Sequence, residues 1–161
     1  FMAKTKEKDF NAMLHDSKDM PKIKELTAPE VIKRYGGSKM LLASPIEYDT
    51  LIKKIEKGKL TTTEQLRTTL AKKHNADFTC PLTAGIFISI VAHASEQRQE
   101  NLTPYWRVLK KDGELNEKFP GGIEAQGKKL EEEGFSIIEK GRTKIKYFVK
   151  GYENFLADLE K

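Results

Sequence analysis

A long apolar stretch over residues 81–97 constrains the fold more than any other part of the chain. It follows Cys80-Pro81, and proline suits the first position of a helix. Large apolar residues recur along it at helical spacing, at Leu82, Ile86, Phe87, Ile90, Val91 and Ala94. The sequence therefore predicts a helix that buries this wide face and leaves Gly85, Ser89 and Ala92 on a small opposite face.

A shorter helix is predicted just before this one. Two overlapping capping boxes lie in Thr61-Thr62-Thr63-Glu64-Gln65, and Leu66 and Leu70 follow on one helix face. This helix should end near Lys73, because the next residues, 74–77, favour a turn. A helix, a short turn and a second helix in this order are compatible with a helix-turn-helix.

The remaining patterns predict a mainly α protein with small β hairpins. Further helices are expected over residues 27–36, 44–58, 123–134 and 152–159, with an extended connection over 38–43. Capping-box spacings in Thr27-Ala28-Pro29-Glu30 and Ser44-Pro45-Ile46-Glu47 predict the starts of the first two. One hairpin turn is expected at 111–113, between strands 107–109 and 114–115, and a second at 140–141, between strands 135–138 and 143–149.

The length of 161 residues suits one domain. Residues 1–22 are rich in charged residues and have few apolar ones, so we expect a loosely ordered charged arm with room for a short helix. Residues 23–161 then form a single domain, whose last hairpin and helix are a C-terminal extension.

The charge balance and the cysteine count limit the classes of function that this chain can have. The chain has 29 Lys and Arg against 24 Asp and Glu, a net charge of +5, which favours a polyanionic partner such as nucleic acid. The single cysteine excludes an internal disulfide and a multi-cysteine zinc site. With no apolar run of 18 residues and no signal-peptide pattern, we expect a cytoplasmic protein without a membrane partner, a metal or a cofactor.

The stretch Thr103 to Leu109 contains the only tryptophan of the chain, Trp106, beside Tyr105. Aromatic side chains of this size each bury roughly 150–250 Å². These two residues therefore either anchor the core or form the wall of a pocket, and the residue pattern alone leaves both interpretations open.

Several motifs around this stretch resemble the alkylguanine-DNA alkyltransferase family in order and spacing. They are Gly58-Lys59-Leu60-Thr61-Thr62-Thr63, the helix pair after it, Pro104-Tyr105-Trp106-Arg107-Val108, Asp112-Gly113, Gly121-Gly122 and Leu130-Glu131-Glu132-Glu133-Gly134. The resemblance covers about residues 43–138, roughly the C-terminal DNA-binding domain of the family. It implies a winged helix-turn-helix, with the arm and the hairpin-helix extension outside it.

Two departures from the family motif decide the expected chemistry. Tyr105 stands where the family has its alkyl-accepting cysteine, and Trp106 stands where it has the histidine that activates this cysteine. A phenol, with a pKa near 10, is a poor nucleophile at neutral pH. Glu133 matches the glutamate that orients the histidine, but here it has no imidazole to orient. The resemblance therefore implies no catalytic residue and no alkyl transfer.

The alkyltransferase-like proteins, which lack the acceptor cysteine and bind alkylated guanine without repairing it, are the relatives that the chain resembles most. The partner implied is double-stranded DNA, including alkylated DNA, contacted by the helix from Pro81 and a wing near Asp112. Thr63 and Thr83 replace a family tyrosine and a family arginine that support base flipping, so other groups must support it here.

The predicted site has two parts. The expected DNA contacts are Thr62, Thr63, Arg67, Lys72, Lys73, Thr83, Ser89, Lys110 and Lys111, and the expected lesion pocket is formed by Tyr105, Trp106, Arg107 and Glu133. The basic residues, together with Arg142, Lys144 and Lys146, are a phosphate footprint only if they share a face. Within the pocket we expect Trp106 to belong to the core and Tyr105 to face a flipped base.

Two alternatives remain at this point. In the first alternative, the chain is a winged-helix module that keeps the fold but binds a protein or RNA. The loss of the family tyrosine and arginine favours this alternative. The second is an enzyme that uses Cys80, whose thiol lies at a helix N-terminus with His74 across the turn as a candidate base.

Overall fold

The computed structural model describes residues 7–160, and the first six residues of the predicted arm lie outside this range. Six α-helices occur within it: α1 (Phe10–His15), α2 (Pro29–Tyr35), α3 (Pro45–Ile52), α4 (Thr63–Lys73), α5 (Pro81–Gln97) and α6 (Gly122–Glu132). The strands are short: β1 (Lys22–Glu25), β2 (Lys39–Leu42), β3 (Thr61–Thr62), β4 (Phe78–Thr79), β5 (Val108–Leu109), β6 (Ile137–Lys140) and β7 (Lys146–Val149).

The strands form three small sheets, so the fold is mixed α/β. In the first sheet β2 lies between β1 and β4, antiparallel to β1 and parallel to β4. Strands β3 and β5 form a parallel pair, and β6 and β7 form an antiparallel hairpin. The predicted second hairpin is thus confirmed, whereas the extended connection over residues 38–43 is the central strand of a sheet that local sequence signals did not predict.

Helix α5 is the centre of the main hydrophobic core, and its buried face coincides with the predicted one only in part. Ile90, Val91 and Ala94 are buried as predicted, whereas Ala84 and Ile88 are further core residues and Ala92, expected on the exposed small face, is fully buried. The expected core residues Leu82 and Ile86 are instead exposed. Aliphatic or small residues occupy almost every position from 82 to 92, so periodicity gave no unique face.

Part of the predicted arm is ordered against this helix. Helix α1 is capped by Asp9, whose carboxylate accepts a hydrogen bond from the Ala12 N–H at 3.0 Å. Leu14 is buried in the main core, and the Asn11 side chain donates to the Ala94 carbonyl at 2.9 Å. These few apolar residues suffice because α5 supplies the surface that they cover. Helix α1 is thus the short helix that was expected within the arm.

The capping residues in the sequence predicted the first residues of α3 and α4 correctly. The Ser44 N–H donates to Glu47 Oε2 at 2.8 Å, and Thr62 Oγ1 accepts from the Gln65 N–H at 3.1 Å, so both predicted capping interactions form. At α2 the predicted cap does not form, since Ala28 is the N-cap and makes no side-chain hydrogen bond.

The region after β5 differs from the predicted first hairpin. The turn at Lys111–Gly113 is present, but β5 pairs with β3 instead of with residues 114–115. Glu114 bridges Phe148, and the Leu115 N–H donates to the Tyr147 carbonyl at 2.9 Å. This region joins Leu60, Leu130 and Phe135 in a second hydrophobic core.

The predicted last helix is only a 3-10 turn at Tyr152–Phe155, followed by extended chain. The Ala157 N–H donates to the Leu60 carbonyl at 2.8 Å, and Leu159 inserts into the main core. Backbone pairing with Leu60 therefore replaces helical hydrogen bonding here. Within residues 7–160, no helix is both long and apolar enough to span a bilayer.

Two isoleucines on α5 test which face is buried. Ile88→Ala should lower the free energy of unfolding by about 2–5 kcal/mol, because it leaves a cavity in the main core. Ile86→Ala on the exposed edge should change it by only about 0.5 kcal/mol. Urea unfolding followed by circular dichroism measures both, and equal losses would contradict the observed orientation of α5.

Candidate nucleic-acid interface

The start of α5 is held by contacts to the first sheet and to α4. The Cys80 N–H donates to the Leu41 carbonyl of β2 at 3.0 Å. Thr79 on β4 donates its hydroxyl to the Arg67 carbonyl of α4 at 2.7 Å. The two helices are thereby fixed relative to each other at the turn that joins them, where the sequence predicts the helix-turn-helix.

The outer edge of α5 carries two exposed aliphatic side chains. Leu82 is 73% exposed and Ile86 is 51% exposed. Gly85 lies between them, and a Cβ added there would meet nothing within 4 Å. Of the predicted contacts on this helix, Ser89 is half-buried, and half-buried Thr83 donates its hydroxyl to the Cys80 carbonyl at 3.4 Å. The sequence did not predict these two residues at the surface, because large aliphatic side chains at helical spacing are typical of a buried face.

Arg67 is joined through its backbone to the segment just before α5. Its carbonyl accepts the hydrogen bond from Thr79, the residue before Cys80, at 2.7 Å. The Arg67 side chain is half-buried. Arg67 is therefore a predicted phosphate contact close to the N-terminal end of α5.

The other predicted basic contacts fall on different surfaces. Lys72 and Lys73 line a cleft with Lys54, and Lys72 Nζ pairs with Glu160 Oε1 at 2.8 Å. Lys110 Nζ lies 3.1 Å from a Glu117 carboxylate oxygen, and its neighbour Lys111 is exposed at the 3-10 turn. Carboxylates thus already neutralise two of the predicted cations.

Tyr105 belongs to the core, which contradicts its predicted place in the wall of a pocket. Tyr105 is 1% exposed, and the rings of Trp106 and Phe119 each meet it edge-on at a centroid distance of 5.4 Å. Trp106 is the half-buried member of the pair. The sequence could not separate the two residues because both are large aromatics in one short turn.

The Tyr105 hydroxyl donates a hydrogen bond to Glu96 Oε1 at 2.5 Å. Burial raises the pKa of this phenol, and the hydrogen bond to the Glu96 carboxylate raises it further. Both effects favour the neutral hydroxyl over the phenolate. Tyr105 is therefore a core residue with a satisfied hydroxyl and a weak nucleophile.

Glu133 has a partner that the sequence did not reveal. Arg107 Nε lies 2.9 Å from Glu133 Oε1 and Arg107 Nη2 lies 2.6 Å from Oε2, which is a bidentate ion pair. The remaining Arg107 nitrogen donates to the Ile55 carbonyl at 2.6 Å. The Arg107 guanidinium thus binds the Glu133 carboxylate, which has no imidazole to orient.

Trp106 lies next to this ion pair and between the two hydrophobic cores, packing against both. The Arg107 guanidinium carbon is 5.4 Å from the indole centroid, and Lys129 Nζ is 4.8 Å from it. Both distances are typical of cation–π contacts. The four predicted pocket residues are therefore close together, but as a packed cluster in which the polar groups of Tyr105, Arg107 and Glu133 are paired. The indole N–H of Trp106 is buried and has no hydrogen-bond partner among the described residues.

The imidazoles near Cys80 and α5 are also engaged. His74 Nε2 lies 2.5 Å from Glu47 Oε1, so the candidate base for Cys80 is paired with a carboxylate instead. His93 Nε2 lies 3.0 Å from the Lys118 carbonyl, and its ring stacks on Phe10. These contacts do not favour the use of Cys80 as a nucleophile.

Comparison with known proteins supports the resemblance at the level of the fold. No family model matches the sequence, and neither does any curated protein. S. pombe Atl1, solved in complex with damaged DNA containing O6-carboxymethylguanine, matches with a TM-score of 0.51 and 19% identity, over 71% of this chain and 94% of that one. S. pombe ATL in complex with DNA matches with a TM-score of 0.52, 18% identity and the same coverage.

This chain shares its fold with Atl1. The resemblance drawn from the order of the short motifs is confirmed to that extent. At 18–19% identity the likeness to Atl1 shows the fold alone, so it carries no residue roles.

The Arg107–Glu133 pair makes stability depend on pH in a defined way. Burial raises the pKa of Glu133, but the two hydrogen bonds and the positive charge of Arg107 outweigh it, so the pKa lies below its ordinary value. A lowered folded pKa contributes stability above the unfolded value of about 4.3 and loses it as pH falls through the folded value. Glu133→Gln should therefore lower the free energy of unfolding by about 1–3 kcal/mol at pH 7.

The difference from the unsubstituted protein should shrink below about pH 4, where the Glu133 carboxylate becomes protonated and is then uncharged, like the glutamine that replaces it. Urea unfolding over a pH series measures this difference in the free energy of unfolding. Glu132→Gln is the matched control, since Glu132 is the exposed neighbour of Glu133 at the end of α6. A Glu133→Gln effect that is constant down to pH 2 would show that the ion pair is not its cause.

Proposed function

We propose that this protein binds duplex DNA without enzymatic activity, in the manner expected of an alkyltransferase-like protein. The observation that carries the proposal is the fold shared with S. pombe Atl1 and ATL, both solved bound to DNA, over 94% of their chains. The net charge of +5 is compatible with a polyanionic partner.

In this proposal α4 and α5 act as the helix-turn-helix, and α5 enters a DNA groove with its exposed edge. Arg67 supports this placement, because its carbonyl is bound to Thr79 just before α5 and its half-buried cationic side chain can reach a phosphate there. The turn at Lys111–Gly113 supplies the wing, with Lys111 exposed on it.

We propose further that no alkyl group is transferred to the protein. The residue at the position of the family acceptor, Tyr105, is buried, and its hydroxyl donates to Glu96. Its pKa is raised above the ordinary value, so the phenolate needed for attack is disfavoured at neutral pH. The neighbouring Glu133 is committed to Arg107 and is not free to activate a nucleophile.

Recognition of alkylated guanine would fall to Trp106 and its neighbours. Only Trp106 of the aromatic pair keeps part of its ring at the surface, so an extrahelical base would contact it first. Tyr105 would support Trp106 from the core side, through the edge-on contact between their rings.

A binding titration at several salt concentrations tests the proposal. Affinity for a duplex should fall with a log–log slope of about −0.9 for each phosphate neutralised, and Arg67→Ala should make the slope shallower by about one unit. Arg67→Lys is the matched control, because it retains the charge and should retain the slope. A duplex containing O6-alkylguanine should bind more tightly, by up to the about 1–3 kcal/mol of one stacked base.

No measurable duplex binding, or a flat salt dependence, would contradict DNA binding through phosphates. It would favour the alternative in which this fold is kept for a protein or RNA partner. Equal affinities for plain and alkylated duplexes would contradict recognition of alkylated guanine, and general DNA binding would remain as the function.

Mass spectrometry of the intact protein tests whether an alkyl group is transferred to it. After incubation with a duplex containing O6-methylguanine, the intact mass of the protein should be unchanged, because the residue at the acceptor position is a buried neutral phenol. A stoichiometric gain of one methyl group would overturn this part, and peptide mapping would then decide between Tyr105 and Cys80.

A further inference from the structure

We propose that Leu82 and Ile86 form an apolar wedge that inserts between base pairs of duplex DNA. This inference rests on the proposed DNA binding and adds the part of the DNA that is contacted, namely the stacked bases. Leu82 is the more exposed of the two, at 73%, and Ile86 follows at 51%. Aliphatic side chains that protrude in this way are used by proteins that partly unstack and kink a duplex.

The geometry of the helix suits a wedge. Leu82 and Ile86 are four residues apart, so their side chains lie one above the other on the same edge of α5. Gly85 beside them has no side chain, and a Cβ there would meet open space, so a DNA backbone can approach the helix closely at this point. The protruding edge is therefore two side chains wide and is flanked by bare helix backbone.

The opposite edge of α5 gives the wedge a rigid support. Ala84 and Ile88, which alternate with the exposed residues, are each 1% exposed in the main core. The Cys80 N–H is tied to the Leu41 carbonyl at 3.0 Å, which fixes the start of the helix to the first sheet. A side chain that must separate stacked bases needs such support, because a mobile one would fold back onto the protein surface.

The charges around these residues favour DNA as the occupant. Residues 81–95 contain no Asp or Glu, and the first acidic residue, Glu96, is at the far end of the helix and accepts from Tyr105. The backbone of Arg67 contacts Thr79, just before the start of α5, where the helix dipole is also positive. An exposed apolar edge that carries no carboxylate and has an arginine at one end matches a base stack bordered by phosphates.

A second copy of the chain fits this surface less well. A symmetric dimer through Leu82 and Ile86 would bring two Arg67 cations and two positive helix ends together. The surrounding repulsion would oppose the small gain from two aliphatic side chains on each copy. Self-association is therefore an outcome that the experiment must detect, and it is not the one that we expect.

The experiment uses the full chain and a duplex that contains 2-aminopurine, a base whose fluorescence rises when it is unstacked. Binding of the unsubstituted protein should increase the fluorescence. Leu82→Ser should abolish most of the increase and weaken affinity about tenfold, as expected for the loss of one buried leucine side chain. Ile86→Ser should have a smaller effect in the same direction, because Ile86 protrudes less.

Leu102→Ser is the matched control. Leu102 is also exposed, at 54%, but it follows the opposite end of α5, about 22 Å along the helix from Leu82. It should leave affinity and fluorescence unchanged. The salt slope separates the two kinds of contact: Leu82→Ser should preserve it, whereas Arg67→Ala should reduce it.

Each contrary result has a distinct meaning. Duplex binding with the expected salt slope, but with Leu82→Ser behaving like the unsubstituted protein, would overturn the wedge and leave the proposed function standing. An absence of duplex binding would overturn both. Sedimentation that detects a dimer abolished by Leu82→Ser would assign this edge to a second copy and likewise overturn the wedge.

Discussion

The burial of one edge of α5 is the interaction on which the rest of this fold depends. Helices α1, α3 and α4 and the turn at Tyr105 all pack against this helix, which supplies a large part of the main core. Since the helix is apolar almost all round, burying one edge necessarily leaves apolar side chains on the other. The exposure of Leu82 and Ile86 is thus a consequence of the same packing of α5 that stabilises the domain.

The cluster of Tyr105, Trp106, Arg107 and Glu133 connects the two hydrophobic cores. Its groups form a bidentate ion pair, a hydrogen bond from a phenol to a carboxylate, and an indole near two cations. Positions that resemble a reactive centre in sequence are here satisfied by one another. A site whose polar groups are paired in this way contributes to stability and has little free hydrogen-bonding capacity for catalysis.

Local signals predicted much of the fold, and non-local contacts account for the rest. Capping residues and Pro81 placed α4 and α5 closely, and the second hairpin was recognised from alternation. The buried edge of α5 could not be assigned, because every face of it is apolar enough. The Arg107–Glu133 pair joins residues 26 apart and was not visible, although both belonged to recognised motifs. The order of those motifs predicted the fold better than any single pattern did.

The extended segment that follows the last 3-10 turn has a consequence for biosynthesis. Leu159, near the end of the described chain, occupies the same core as Leu14 near its beginning. Leu159 is synthesised long after Leu14, so the main core is complete only once residue 159 has emerged from the ribosome. Until then the apolar surface that Leu159 covers stays exposed, and exposed surface of this kind promotes aggregation of a nascent chain.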